Sequence, residues 1–181
     1  ARALRWDGSS EIHATLGIGT QGVQLTDYYE VKVSATPKLH KVGDRLFVTW
    51  TDHLETTAKA WLQEVNGAGQ WIGERIVLVG EGEEALNART AFGEKSIGIL
   101  FQKDGEPYRN FFKIVDFDGK ELRPAEGLDP EVSVDGVGYR GAHGGDIAFD
   151  GSGFVFVWRV GKPNAKGIVF WSRVDEETHE A

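Results

Sequence analysis

Strand-sized runs of apolar and β-branched residues, punctuated by Asp-Gly and Ser-Gly pairs, dominate the pattern of this chain. The clearest unit occupies residues 146–175. It reads Ile147-Ala148-Phe149, the turn Asp150-Gly151-Ser152-Gly153, then Phe154-Val155-Phe156-Val157-Trp158. A polar loop follows, and then Ile168-Val169-Phe170-Trp171-Ser172-Arg173-Val174-Asp175. Residues of this kind in runs of this length, with turn residues between them, predict strand, tight turn, strand, loop, strand.

The same order recurs twice upstream. Phe92 and the turn Gly93-Glu94-Lys95 lead into Ile97-Gly98-Ile99-Leu100-Phe101, a loop, and Phe111-Phe112-Lys113-Ile114-Val115. Leu39 to Val42 and the turn Gly43-Asp44 lead into Leu46-Phe47-Val48-Thr49-Trp50, a loop, and Ala60-Trp61-Leu62 on to Val65. The aromatics that end the second strands, Trp50, Phe101 and Trp158, recur at similar intervals along the chain. The third strands end at Val65, Val115 and Val174, each at nearly the same distance after its aromatic. Two landmarks at near-constant spacing define an internal repeat. After the first two copies, Asn66-Gly67 and Asp118-Gly119 turn the chain into a fourth strand, whereas the last copy has none.

Four antiparallel strands recurring every ~40–50 residues is the arithmetic of a β-propeller blade. The fold class expected is therefore all-β, with about three to four blade-like repeats in one domain spanning residues 1–181. Residues 39–80, 86–124 and 146–175 are the repeats. Residues 1–38 are a degenerate copy or closing strands, since Leu4-Arg5-Trp6-Asp7-Gly8-Ser9 parallels Ile147 to Ser152. Trp50, Phe101 and Trp158 are expected in the core between blades. Ala58, Trp61, Leu62 and Val65 fall at helical spacing. The matching segments of the other copies are rich in β-branched and aromatic residues, so a strand is expected there too.

The unit ending in Ala-Phe-Asp-Gly-Ser-Gly and alternating Phe and Val into Trp resembles repeats of large secreted bacterial proteins of β-propeller type. The likeness is best over residues 146–175 and weaker over 39–123. It implies a fold and an extracellular, cell-surface or periplasmic location, and it carries no catalytic residues. Two propeller motifs are unmet. Ser133-Val134-Asp135-Gly136-Val137-Gly138-Tyr139 begins like a sialidase Asp-box but lacks its later glycine and tryptophan. Asp116-Phe117-Asp118-Gly119 has too few carboxylates for a calcium loop and is expected to be a hairpin turn.

Composition narrows the picture. The 181 residues hold 24 glycines, as many tight turns require, and a formal net charge of −8. That charge disfavours phosphate-mediated nucleic-acid binding and attraction to anionic membranes. With no cysteine there is no disulfide and no thiolate metal site. No apolar run reaches the ~20 residues of a membrane helix. The chain lacks methionine, and is read as a mature product or an excised piece.

Function is expected on loops. The loops between second and third strands offer Asp52, His53, Asp104, Tyr108 and Arg159. A long glycine-rich connection, residues 124–145, adds Tyr139, Arg140 and His143. These side chains suit hydrogen bonding to a polar ligand. No His pair at ligand spacing, nucleophile elbow or phosphate loop occurs, so no metal, cofactor or catalytic residue is assigned. The first reading is a secreted or surface binding and assembly module that recognises a glycan or a protein. The alternatives are a structural subunit of a larger extracellular assembly and a polysaccharide-acting enzyme using loop carboxylates, the enzyme being less favoured. Three copies leave a blade array open. A homo-oligomer, a partner chain or the segment 1–38 is expected to close it, with Leu4–Asp7 or Val23–Tyr28 supplying a strand.

Overall fold

The computed structural model describes residues 3–5, 13–15, 22–24, 33–53, 57–80, 83, 85–103, 109–128, 132–134, 137–139, 142–161 and 167–181. All its regular elements are β-strands, and the chain divides into two compact units, Ala1–Ala85 and Leu86–Ala181.

In the first unit, β1 (Ala3–Arg5), β2 (His13–Thr15) and β3 (Gly22–Gln24) form a three-stranded antiparallel sheet. A four-stranded meander follows: β4 (Val33–Val42), β5 (Arg45–His53), β6 (Ala58–Val65) and β7 (Trp71–Val79). Residues 58–65 are thus a strand, although their spacing also suits a helix. Pairing to β5 on one side and β7 on the other overrides the local pattern. Val48, Trp50 and Val65 form a buried cluster covered by Leu46 and Trp61. Arg75 on the outer strand stacks over Trp61, 4.5 Å from the ring centroid. Arg45 grips Glu64 with two parallel hydrogen bonds of 3.1 and 2.8 Å, which hold the Glu64 carboxyl below its ordinary range.

The second unit holds a second four-stranded meander: β8 (Leu86–Phe92), β9 (Ser96–Lys103), β10 (Arg109–Asp116) and β11 (Glu121–Gly127). The hairpin β12 (Val132–Val134) and β13 (Val137–Tyr139) lies inside the stretch read as a long glycine-rich connection with weak strand signals. Its very short strands give too brief an alternation to register in the sequence. Last comes a three-stranded sheet, β14 (Ala142–Phe149), β15 (Gly153–Gly161) and β16 (Gly167–Asp175). As the repeat predicts, no fourth strand follows β16 among the described residues.

Burial follows strand position. The second strand β9 is buried along nearly its whole length, as a near-continuous apolar run requires. The fourth strands β7 and β11 are largely exposed. The second and third repeat sheets share one core: Leu100, Phe112 and Ile114 of one meet Ile147, Phe154, Phe156 and Trp158 of the other. Phe112 stacks on Phe156 at 4.6 Å, and Trp158 stacks on its cross-strand partner Phe170 at 5.6 Å. Trp50, Phe101 and Trp158 are all buried, and both tryptophans bury an indole N–H that has no partner among the described residues. Their rings are present for area and shape.

A carboxylate clasps these two sheets. Glu176, just past β16, is buried and accepts hydrogen bonds from the turn between β8 and β9. The donors are Lys95 N at 2.9 Å, Ser96 N at 2.9 Å, Ser96 Oγ at 2.8 Å and Glu94 N at 3.1 Å. Its own backbone N–H donates to Ser152 O. Gly93 has no side chain because a Cβ there would overlap this carboxylate. The Glu176→Ala variant is expected to lose about 2–4 kcal/mol, since it orphans several donors at once. Gly93→Ala is expected to be destabilised as well. Urea unfolding of both checks this, and an unchanged midpoint for Glu176→Ala would remove the clasp from the account.

His40 on β4 supplies a pH dependence. Burial, and then the nearby Lys38, lower its pKa from 6.5 to about 4, and its Nε2 shares a 3.3 Å hydrogen bond with Thr49 Oγ1. The unfolded chain takes up this proton near pH 6.5 and the folded chain near 4. Stability is therefore expected to fall as pH drops through that window, by at most about 3 kcal/mol. Denaturant midpoints across the window should show the slope, and His40→Asn should flatten it.

Candidate functional site at the bulged strand ends

Each of the three repeat sheets carries the same irregularity, which the sequence pattern did not disclose. The register of the first strand against the second slips once: between Ala35 and Lys38, between Leu86 and Arg89, and between Ala142 and Gly145. At each slip one residue enters the left-handed region: Thr36 at φ 54°, Asn87 at φ 50° and Gly144 at φ 68°. Thr36 precedes Trp50 by the same number of positions as Asn87 precedes Phe101 and Gly144 precedes Trp158. Bulges re-aim side chains at the rim of a sheet. Within each sheet, this bulge lies at the end where the loop from the second to the third strand emerges.

Bulge residues bond to the second strand in the first two copies. Thr36 Oγ1 lies 3.2 Å from Thr51 Oγ1, and Asn87 Nδ2 donates to Gln102 Oε1 at 3.0 Å. The two partners hold the same place in their repeats, and both are buried. In the third sheet Gly144 and Arg159 hold the equivalent places.

Around these ends the predicted residues distribute as follows. Asp52 is buried on β5, its Cα paired with Ser34 and Lys59. The neighbouring His53 is half-buried. Arg159 is half-buried on β15, opposite Val169. His143 lies in β14, within the slipped stretch facing Trp158 to Val160, so His143 and Arg159 come to one end of one sheet. Tyr139 lies in β13, paired with Val132. Asp104, Tyr108 and Arg140 lie outside the described residues. On β10, Phe111 stacks with Phe101 at 5.8 Å and lies under two cations, Arg109 at 5.7 Å and Lys103 at 5.8 Å.

The opposite ends of the sheets are occupied by turn chemistry. Asp116 Oδ1 accepts from Asp118 N and Lys120 N, so the Asp116 to Gly119 segment is the hairpin turn expected. Asp150 accepts from Ser152 N and Gly153 N, and Arg173 donates to it. That guanidinium contact, with the turn amides, holds the Asp150 carboxyl far below the usual range. Asp175 is lowered too, chiefly by Thr178 N and Glu177 N. Among the described residues no group of three or more His, Asp or Glu side chains could hold a metal.

In the first unit the bulged end of the meander brings Thr36, Thr51, Asp52 and His53 together in sequence and register; in the second unit the bulged ends carry Asn87 with Gln102, and His143 with Arg159. The molecule is an all-β chain of antiparallel, blade-type sheets. It is similar to an endo-arabinase from Bacteroides thetaiotaomicron, with a TM-score of 0.59 and 10% identity. That match covers 96% of this chain and 70% of the endo-arabinase. A thermostable family-43 glycoside hydrolase matches with a TM-score of 0.51 and 11% identity, over 92% of this chain and 63% of that one. At this identity the likeness is one of fold. No family model and no curated protein matches the chain. Among the described residues no helix is long and apolar enough to cross a membrane.

The bulges predict a specific sensitivity. A Cβ at Gly144 meets nothing within 4 Å, so only the backbone resists substitution there. Gly144→Val is expected to cost about 1–3 kcal/mol, and Gly144→Asn, which tolerates the left-handed region, clearly less. Thermal unfolding of the two variants separates these outcomes.

Proposed function

We infer that the chain is a secreted or surface module that recognises a carbohydrate through the bulged ends of its blades. The observation that carries this reading is the bulge repeated at one place in three sheets, beside the loops from the second to the third strands. Asp52, His53 and Arg159 are the contact residues assigned, with His143, Tyr139, Arg140, Asp104 and Tyr108 as further candidates. A polyhydroxylated ligand suits such a mixture of donors and acceptors. Two solved structures of similar fold are an endo-arabinase and a family-43 glycoside hydrolase, which supports a glycan as the ligand.

The test is binding to arabinan, xylan and cellulose by affinity electrophoresis and calorimetry, with reducing-sugar release followed in parallel. Binding to at least one polysaccharide without release is expected. Asp52→Asn and Arg159→Ala should weaken it at least about tenfold, which is ~1.4 kcal/mol. Absence of binding to any polysaccharide rejects the reading. Release of reducing ends moves the enzyme reading to the front.

A further inference from the structure

The cross-strand pairs Trp50–Trp61 and Phe101–Phe111 set the first two repeats in register with each other. Two positions nearer the bulged end, the first sheet pairs Asp52 with Lys59. At that place the second sheet pairs Lys103 with Arg109. An acid facing a base in one copy is thus two bases in the next. Opposite charges across a ladder stabilise it, and like charges directly opposite destabilise it. The second sheet therefore keeps an unfavourable pair at the end where the ligand is assigned, although the first sheet accommodates a favourable one.

The two cations are held in place. Arg109 and Lys103 lie 5.7 and 5.8 Å from the ring centroid of Phe111, on which Phe101 stacks at 5.8 Å. Arg109 also reaches across to β11, where a Cβ on Gly127 would come 2.9 Å from its Nη2. Arg109 is exposed and Lys103 half-buried. The end around them has the same sign. Gly98 of β9 lies against Phe154 and Ile147, and Leu100 lies against Gly145, the partner of Trp158. The bulged ends of the second and third sheets therefore share one side of the unit. Arg159 and His143 come to that side, while Asp116, Asp150, Asp175 and Glu176 stand at the other. By sequence the loop between the pair also carries Asp104 and Glu106, outside the described residues, so the decisive variants change the charge of the pair alone.

We propose that Lys103 and Arg109 form the subsite that takes the carboxylate of an acidic sugar, so that the polysaccharide recognised is one carrying uronic acids. This rests on the reading of the bulged ends as a carbohydrate surface and names the class of carbohydrate. A carboxylate set between the two cations relieves their repulsion and accepts charge-assisted hydrogen bonds from both. The planar guanidinium fork matches its two oxygens. A guanidinium has five N–H donors, so the contacts that position Arg109 leave others for a ligand.

Affinity electrophoresis and calorimetry of the full chain compare polygalacturonate with arabinan, and with polyglutamate as a carboxylate polymer without sugar. Polygalacturonate is expected to bind at least about tenfold tighter than either. Lys103→Asp, which rebuilds the acid–base pair of the first sheet, should lose that preference. Arg109→Gln should lose it as well, and Lys103→Arg should keep it. The urea midpoint of Lys103→Asp should not fall, since a repulsive pair becomes an attractive one. Arabinan bound as tightly as polygalacturonate overturns this inference and leaves the carbohydrate reading standing. No binding to any polysaccharide removes both. Polyglutamate bound equally well overturns the sugar as the source of the carboxylate. A preference that survives both Lys103→Asp and Arg109→Gln overturns the assignment of the pair. Circular dichroism checks that the variants are folded. Should they not fold, salt decides with the unaltered chain. Affinity for polygalacturonate should fall as salt rises while that for arabinan holds, and a preference indifferent to salt overturns the proposal.

Discussion

Packing of the second repeat sheet against the third is the interaction on which the second unit depends. Phe112 stacked on Phe156 lies near its centre, with Leu100, Ile114, Phe154 and Trp158 around it. Aromatic pairs of this kind add ~0.5–1.5 kcal/mol each beyond the area they bury. The apolar surface they remove from water is the larger contribution. Once the faces are in contact, Glu176 can reach the turn at Glu94 to Ser96, and only there does a buried carboxylate find enough donors to offset its lost hydration. The clasp and the aromatic contact therefore support each other. One brings the turn close, and the other fixes its angle.

The bulges set what each sheet presents at one of its ends. A regular first strand would alternate its side chains strictly between the two blade faces. One extra residue breaks that alternation at the loop end, where Thr36 and Asn87 bond to Thr51 and Gln102. Polar groups are thereby retained at the rim while the rest of the strand packs in the core. Thr36 is β-branched and held at φ 54°, a conformation that costs energy and is kept only because its surroundings demand it. In the third sheet glycine removes that cost, and Arg159 takes the place of the neutral partner. The sheets thus share a scaffold while presenting different chemistry at the bulge.

How much was legible in the sequence can be judged from particular residues. The all-β class, the order of the long strands and the turns at Asp116 and Asp150 were legible in the apolar runs and the turn residues between them. The strand at residues 58–65 was legible only by comparison with its counterparts. The hairpin at Val132–Val134 and Val137–Tyr139 escaped, its strands being too short to show alternation. Asp52 and His53, expected in a loop, lie in the last residues of β5, because the pairing of β5 with β4 and β6 runs on to His53. The bulges were missed, because Thr36, Asn87 and Gly144 share no residue type and only a register shows what they have in common.

By itself the sequence determined the long strands of the three repeat sheets and the turns between them, because alternation, turn residues and spacing act over a few residues and leave a local trace. It also placed Trp50, Phe101 and Trp158 in the core, since the same position recurs as a large aromatic. Only the tertiary structure decided that Glu176 is a buried clasp while Asp150 and Asp175 are surface turns, although all three are acids near glycine, serine or threonine. Burial depends on what lies across from a residue, often a whole repeat away along the chain, and hydrophobicity read in order carries no record of that neighbour.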